Sequence, residues 1–170
     1  MQQKPRAKSE PIVNRSMLIG LSVQTIAQTA AVLTAFGLGL LWHLEAGASV
    51  IGNPLTYLLQ HDWHGVPSGV QTAETMAFVT LSLCELFRAY TVRSERASIF
   101  QIGFFSNRYM QYAVGLSIAL LLLVCSLPFL QPIFNTHFLS GREWAIVIGL
   151  ALIPATAEEI TKFFLRRSKG

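Results

Sequence analysis

The sequence predicts an all-α membrane protein, a bundle of four transmembrane helices with both termini in the cytoplasm. Hydrophobic residues make up 52% of the 170 residues and charged residues only 13%, about half of the roughly 25% that is usual in soluble domains. Two stretches, 16–44 and 109–141, contain no Asp, Glu, Lys or Arg. Each exceeds the roughly 20 residues that a helix needs to cross a bilayer.

The chain is predicted to begin with a polar cytoplasmic lead-in, 1–15, followed by the helical domain, 16–168. The first span covers about 16–44, and its middle carries four polar side chains, Gln24, Thr25, Gln28 and Thr29. We expect this polar stripe to face protein, because unpaired amides in hydrocarbon cost several kcal/mol.

The other spans are predicted over about 70–92, 109–130 and 143–165. The third is uninterrupted and ends near two prolines, Pro128 and Pro132. The second and fourth contain acidic and basic residues, so their hydropathy alone is marginal.

The distribution of basic residues decides between two spans and four, because cytoplasmic loops are enriched in Lys and Arg. Four spans put 12 of the 13 Lys and Arg residues on the cytoplasmic side and leave only Arg142 outside. With two spans the division is nine to four. The formal charge of +4 therefore reflects membrane topology, and we expect no nucleic-acid partner.

Few residues in the predicted spans carry a charge, and Glu85 is the most informative. A carboxylate inside a span costs roughly 2.5 kcal/mol or more, so it normally faces a cavity, a partner or an ion. Glu74, Phe78, Ser82 and Glu85 share one helical face. Glu85 is therefore a candidate ion ligand, and the alternative is that Arg88, three residues on, simply neutralises it.

Glu158 and Glu159 lie in the inner third of the last span, and we expect them to be structural. Glu158 and Lys162 form an i,i+4 pair in the favourable orientation. Cys84 and Cys125 are expected to be packing residues. His61 and His64 could bind zinc or copper, but a loop gives them no fixed geometry and we expect no strong site.

Catalytic motifs are absent from the sequence. It has no Gly-rich phosphate loop, no Asp-Lys-Thr-Gly-Thr phosphorylation motif and no Ser/His/Asp arrangement. We therefore expect that this chain is not an enzyme on its own and holds no cofactor.

Several runs of sequence resemble a known family. AETMAFVTLSLCELFRAYTVRSERASIFQIGFFSNRYM is similar to the eighth helix, the following loop and the start of the ninth helix of P-type ATPases of the calcium-pump class. LPFLQPIFNTHFLSGREWAIVIGLALIPATAEEITKFFLRR resembles the end of the ninth helix and the tenth, and PRAKSEPIVNRSML the loop before the seventh. The resemblance covers nearly the whole chain.

The resemblance implies the C-terminal membrane domain of a cation pump, with calcium as the expected ion of the complete protein. Glu85 falls where some of these pumps have a calcium ligand, whereas Arg88 replaces a residue that is usually uncharged. Glu158 and Glu159 match an acidic pair with an expected structural role. The partners would be lipid and the remaining helices and cytoplasmic domains of the pump, in the plasma membrane if the source is bacterial.

The resemblance also implies that the phosphorylation, nucleotide and actuator domains and helices one to six precede Met1, in a truncated gene, a split gene or an excised domain. Two alternatives remain open from the residues alone. One is an autonomous four-helix transporter that couples to protons at Glu85, and the other is a structural membrane subunit.

Overall fold

A computed structural model of the chain describes residues 15–43, 68–92 and 107–167. Over these ranges every regular element is a helix, which confirms the predicted all-α class for this part of the chain. The four long helices and one short helix are α1 (Arg15–His43), α2 (Ser68–Thr91), α3 (Arg108–Ser126), α4 (Gln131–Phe134) and α5 (Gly141–Arg167). The lead-in before Arg15 and the predicted metal candidates His61 and His64 lie outside the described residues.

The third helix is shorter than predicted. It ends at Ser126 rather than near residue 130, and Leu127 is extended with φ −88° and ψ 118°. The reason is Pro128, whose ring disfavours helical backbone in the residue before it. Pro132 then lies in the first turn of α4, where a missing N–H costs nothing.

Three of the described helices are long and apolar enough to cross a membrane: Met17–His43, Arg108–Ser126 and Gly141–Phe164. The hydropathy of the last of these helices was predicted to be marginal. Its mean hydropathy is 1.4, which is high enough for a membrane span. Helix α2 is not among the three, although its 24 residues give it the length. Its charged side chains, Glu74, Glu85 and Arg88, lower its hydropathy.

The long helices run alternately up and down. Gln28 of α1 bonds to Glu85 of α2, while Gly39 lies beside Ala73, so these two helices are antiparallel. Helix α5 runs parallel to α2 and antiparallel to α1, and α3 lies at the edge, mainly against α2. We call the end where α1 stops and α5 starts the histidine end, and the end where α2 stops the basic end.

Helices α1 and α2 approach most closely near the histidine end. A Cβ on Gly39 would lie 2.6 Å from the backbone Cα of Ala73 and 3.1 Å from the sulfur of Met76. Only glycine fits there, and Ala31 and Ala35 continue the same face of α1 as fully buried residues. Small residues at such spacing allow transmembrane helices to pack closely.

The hydrophobic core is centred on α2, with Met76, Val79 and Leu83 packed against α1, α3 and α5. Cys84 and Cys125 are free and buried in this core, which confirms their prediction as packing residues. Helix α3 buries only Val114, Leu121 and Cys125. Its remaining apolar side chains face outward, as suits a helix at the edge of a membrane domain.

Two asparagines make polar contacts at helix ends, one at the start of α3 and one at the end of α4. Asn107 accepts hydrogen bonds from the N–H groups of Tyr109 and Met110 at the start of α3. Asn135, which ends α4 in the left-handed region with φ 51°, donates to Glu74 of α2 and accepts from Gln71. Asparagine tolerates that backbone region better than most residues.

Candidate functional site

Three of the four residues in the polar stripe of α1, Thr25, Gln28 and Thr29, line an open groove between α1 and α2 together with Glu85. Gln28 donates from Nε2 to Glu85 Oε1 over 2.8 Å, and Arg88 Nη1 lies 3.9 Å from Glu85 Oε2. The groove, here the Glu85 cleft, has a volume of about 370 Å³. Its lining residues are Thr25, Gln28, Thr29, Val32, Leu33, Leu81, Glu85 and Arg88.

The Glu85 cleft is open on one side. The side chain of Glu85 is 52% exposed and that of Arg88 34%. The carboxylate offers two acceptor oxygens, one bonded to a neutral amide and one held loosely by a guanidinium at the limit of ion-pair distance. Arg88 can give no lone pair to a cation, so it can only compete with a cation for Glu85.

Of the four residues that were predicted to share one face of α2, only Glu85 lines the cleft. Glu74 and Glu85 do not come together, because they lie about three helical turns apart and Glu74 bonds to Asn135 instead. Phe78 and Ser82 do not line the cleft either. In the described part of the chain, no three His, Cys, Asp or Glu side chains are placed to hold a metal ion.

A second acidic site lies at the basic end and is closed. Lys162 Nζ lies 3.3 Å from Glu158 Oε1 and 3.2 Å from Glu159 Oε1, and it donates to the carbonyl of Thr91 over 2.6 Å. The Thr91 hydroxyl donates to Glu158 Oε2, also over 2.6 Å. We call these four residues the Lys162 cluster. The predicted Glu158–Lys162 ion pair is thus present.

The Lys162 cluster joins two helices. Thr91 is the last residue of α2, and its carbonyl is one of those that a helix leaves without an internal partner. A lysine near a helix C-terminus satisfies such a carbonyl and interacts favourably with the helix dipole. The cluster therefore fastens the end of α2 to α5.

A third polar group, which was not predicted from the sequence, lies at the histidine end. His43 Nε2 and Glu143 Oε1 form a hydrogen bond, and the guanidinium of Arg142 lies 4.5 Å from the ring centre of Trp42. We call these four residues the His43 latch. They connect the last turn of α1 to the first turn of α5.

Glu143 is also part of a helix cap. Its Oε2 accepts from the backbone N–H and the hydroxyl of Ser140, over 2.6 and 2.8 Å. Ser-x-x-Glu before an apolar run is the sequence signature of such a capping box, so Ser140-Gly141-Arg142-Glu143 could have been found in the sequence. The contact to His43, 100 residues away, had no comparable signal.

The family follows from comparison with known sequences. A family model described as the C-terminus of cation-transporting ATPases matches residues 1–164. The chain belongs to this family. The predicted resemblance to the C-terminal membrane domain of calcium-pump-like P-type ATPases is thereby confirmed, and the apolar helices α1, α3 and α5 are those of an integral membrane protein.

Individual relatives of this cation-transporting ATPase domain are named for calcium transport. The chain is 36% identical over 113 residues to a calcium-transporting ATPase of Bacillus subtilis, 66% of this chain and 13% of that protein. It is 30% identical over 172 residues to the calcium-transporting ATPase type 2C member 2 of Mus musculus, 99% of this chain and 16% of that protein. The chain thus spans under a fifth of the length of these relatives.

Proposed function

We propose that this chain forms the C-terminal membrane domain of a calcium-transporting ATPase, where it supports the ion-carrying helices and supplies one calcium ligand, Glu85. The observation that carries the proposal is the Glu85 cleft itself. A carboxylate, an amide and two hydroxyl groups line an open groove between α1 and α2, and lipid cannot satisfy them.

The proposed membrane arrangement has four spans, with the basic end and both termini in the cytoplasm. Helix α2 is not among the three helices that are apolar enough to cross a membrane. It nevertheless contacts α1 near Gly69 and α5 at Thr91. Its whole length therefore lies beside two helices that are apolar enough to span. Packing against its neighbours buries four threonines of α2, Thr72, Thr75, Thr80 and Thr91, which supports a spanning α2.

Calcium is the proposed ion because the relatives carry that name and because Glu85 offers hard oxygen ligands. Calcium takes six to eight oxygens, so the rest of the coordination shell would come from other helices of a complete pump. The chain alone would neither hydrolyse ATP nor move an ion. Glu158 and Glu159, in the Lys162 cluster, would hold the domain together. If the source is bacterial, the pump would lie in the plasma membrane.

The test replaces the matching C-terminal segment of the Bacillus subtilis calcium-transporting ATPase with this chain. Calcium-dependent formation of the phosphorylated enzyme from ATP is then titrated. We expect Glu85→Ala to weaken the apparent calcium affinity by about tenfold, equivalent to about 1.4 kcal/mol of binding free energy. Glu85→Gln keeps an oxygen ligand and should weaken it less.

The matched control is Glu74→Gln, which changes an acid on the same helix that lies outside the cleft. It should leave the apparent calcium affinity unchanged. If Glu85→Ala also leaves the affinity unchanged, Glu85 is only the partner of Arg88 and the domain is a structural support. If the chimera gives no phosphorylated enzyme although it reaches the membrane in normal amounts, this chain does not function as a pump domain.

A further inference from the structure

Gln28 of α1 holds the carboxylate of Glu85 from the opposite helix. Its Nε2 donates to Glu85 Oε1 over 2.8 Å, although the two residues are 57 apart in the sequence. The second oxygen of Glu85 lies 3.9 Å from Arg88 Nη1, which is beyond hydrogen-bond distance. Within the described part of the chain, the side chain that fixes this half-exposed carboxylate is therefore that of Gln28.

We propose that Gln28 is a positioning residue for calcium binding, which holds Glu85 ready for the ion and away from Arg88. This inference rests on the proposed role of Glu85 as a calcium ligand. A glutamate side chain has several rotatable bonds, and fixing them before the ion arrives reduces the entropy that binding costs. The amide of Gln28 is neutral, so it fixes the carboxylate without cancelling the charge that attracts a cation.

Arg88 is the competitor that makes this positioning necessary. It follows Glu85 by three residues on α2, so the two side chains share a helix face. A guanidinium and a carboxylate can form two parallel charge-assisted hydrogen bonds, but at 3.9 Å this pair has not closed. Without the bond to Gln28, Glu85 is free to turn fully toward Arg88. Calcium would then have to break a closed ion pair before it could bind.

Two neighbours of Gln28 in the polar stripe do not share its position. Thr25 donates its hydroxyl to the carbonyl of Leu21 over 2.9 Å, so that proton is not offered to Glu85. Gln24, about one turn before Gln28, is only 4% exposed and does not line the cleft. Helix α1 thus carries two glutamines one turn apart, one beside Glu85 and one outside the cleft, which supplies a matched control.

The test uses the chimeric Bacillus subtilis pump that tests the calcium ligand, with the same titration of calcium-dependent phosphorylation. Gln28→Met keeps the length of the side chain and removes the amide. We expect it to weaken the apparent calcium affinity by about fivefold, as for the loss of one hydrogen bond, while the maximal amount of phosphorylated enzyme stays the same. Gln28→Asn keeps the amide on a shorter stem that cannot reach Glu85, so it should weaken the affinity to a similar extent.

The same change in a chain with Arg88→Met tests the mechanism. Because the competitor is then absent, Gln28→Met should weaken the apparent affinity by less than about twofold in that background. A residue that only supported the fold would not be rescued in this way. The matched control is Gln24→Met, which should leave the apparent calcium affinity unchanged.

The outcomes separate this inference from the proposed function. If Glu85→Ala weakens the affinity and Gln28→Met does not, Glu85 is a calcium ligand that Gln28 does not position. If Gln28→Met weakens the affinity equally with and without Arg88, Gln28 acts on the fold or binds calcium itself, and the positioning role is overturned. If Glu85→Ala has no effect, the calcium ligand itself is lost and the role of Gln28 falls with it.

Discussion

The Glu85 cleft and the Lys162 cluster contain the same kinds of group in different surroundings. Each has a glutamate with a basic residue one turn further along its own helix. In the cleft, Arg88 lies 3.9 Å from Glu85 and both side chains are substantially exposed. In the cluster, Lys162 lies 3.3 Å from Glu158, and its side chain is only 6% exposed.

The difference lies in how many partners each charge has. Lys162 contacts two carboxylates and the carbonyl of Thr91, so its ammonium group has all the acceptors that it can use. Glu85 has one firm hydrogen bond and one loose ion pair. A fully satisfied buried charge serves to hold helices together. A partly satisfied carboxylate beside an open groove retains lone pairs for a ligand.

The largest loss of stability is expected for Lys162→Met. Methionine fills a similar volume but removes the cation beside the buried Glu158 and leaves the Thr91 carbonyl without its Lys162 donor. Breaking a buried ion pair in this way costs about 3–5 kcal/mol. We expect a loss of that size in the free energy of unfolding, measured by denaturation of the 170-residue chain in mixed micelles.

The double variant Lys162→Met, Glu158→Gln tests the cause of that loss. If the unpaired buried charge is responsible, removing the Glu158 charge should restore part of the stability. A double variant that is as unstable as the sum of the two single variants would mean that the packing volume matters and the charges do not. The Lys162 cluster would then differ from the Glu85 cleft in packing alone.

An intermediate effect is expected for Gly39→Ala, because the cleft exists only while α1 and α2 keep their spacing. The new methyl group would lie 2.6 Å from a backbone atom of Ala73, so the helices must separate. Overpacking of this kind costs about 1–3 kcal/mol. The control is Gly37→Ala on the same helix, where nothing lies within 4 Å of the added atom. Equal stability of the two variants would contradict the close α1–α2 contact.

Helix positions could be predicted well from the sequence, because they depend on local features of the chain. Charge-free runs mark the spans, and a proline such as Pro128 marks a helix end. The predicted first span, 16–44, differs from α1, Arg15–His43, by one residue at each end. The ion pair of Glu158 with Lys162 was predictable for the same reason, since i,i+4 neighbours share a helix face.

The partners across helices could not be predicted. The bond of Gln28 to Glu85 joins residues 57 apart, and that of Thr91 to Glu158 joins residues 67 apart. These contacts depend on the rotation and depth of each helix, which the packing of residues such as Gly39 and Ala73 decides. The polar stripe of α1 did indicate that a partner was needed, but it did not identify Glu85.

The smallest effect is expected for Arg88→Met, and it decides whether the two acidic sites really differ. Methionine keeps an apolar stem and removes the charge. Exposed ion pairs contribute about 0–1 kcal/mol, so the free energy of unfolding in mixed micelles should change by no more than that. Glu85→Gln in the same assay should also have a small effect, because the amide can still accept from Gln28. A loss as large as that of Lys162→Met would show that Arg88 and Glu85 form a structural pair, and the proposed calcium ligand would lose its free lone pairs.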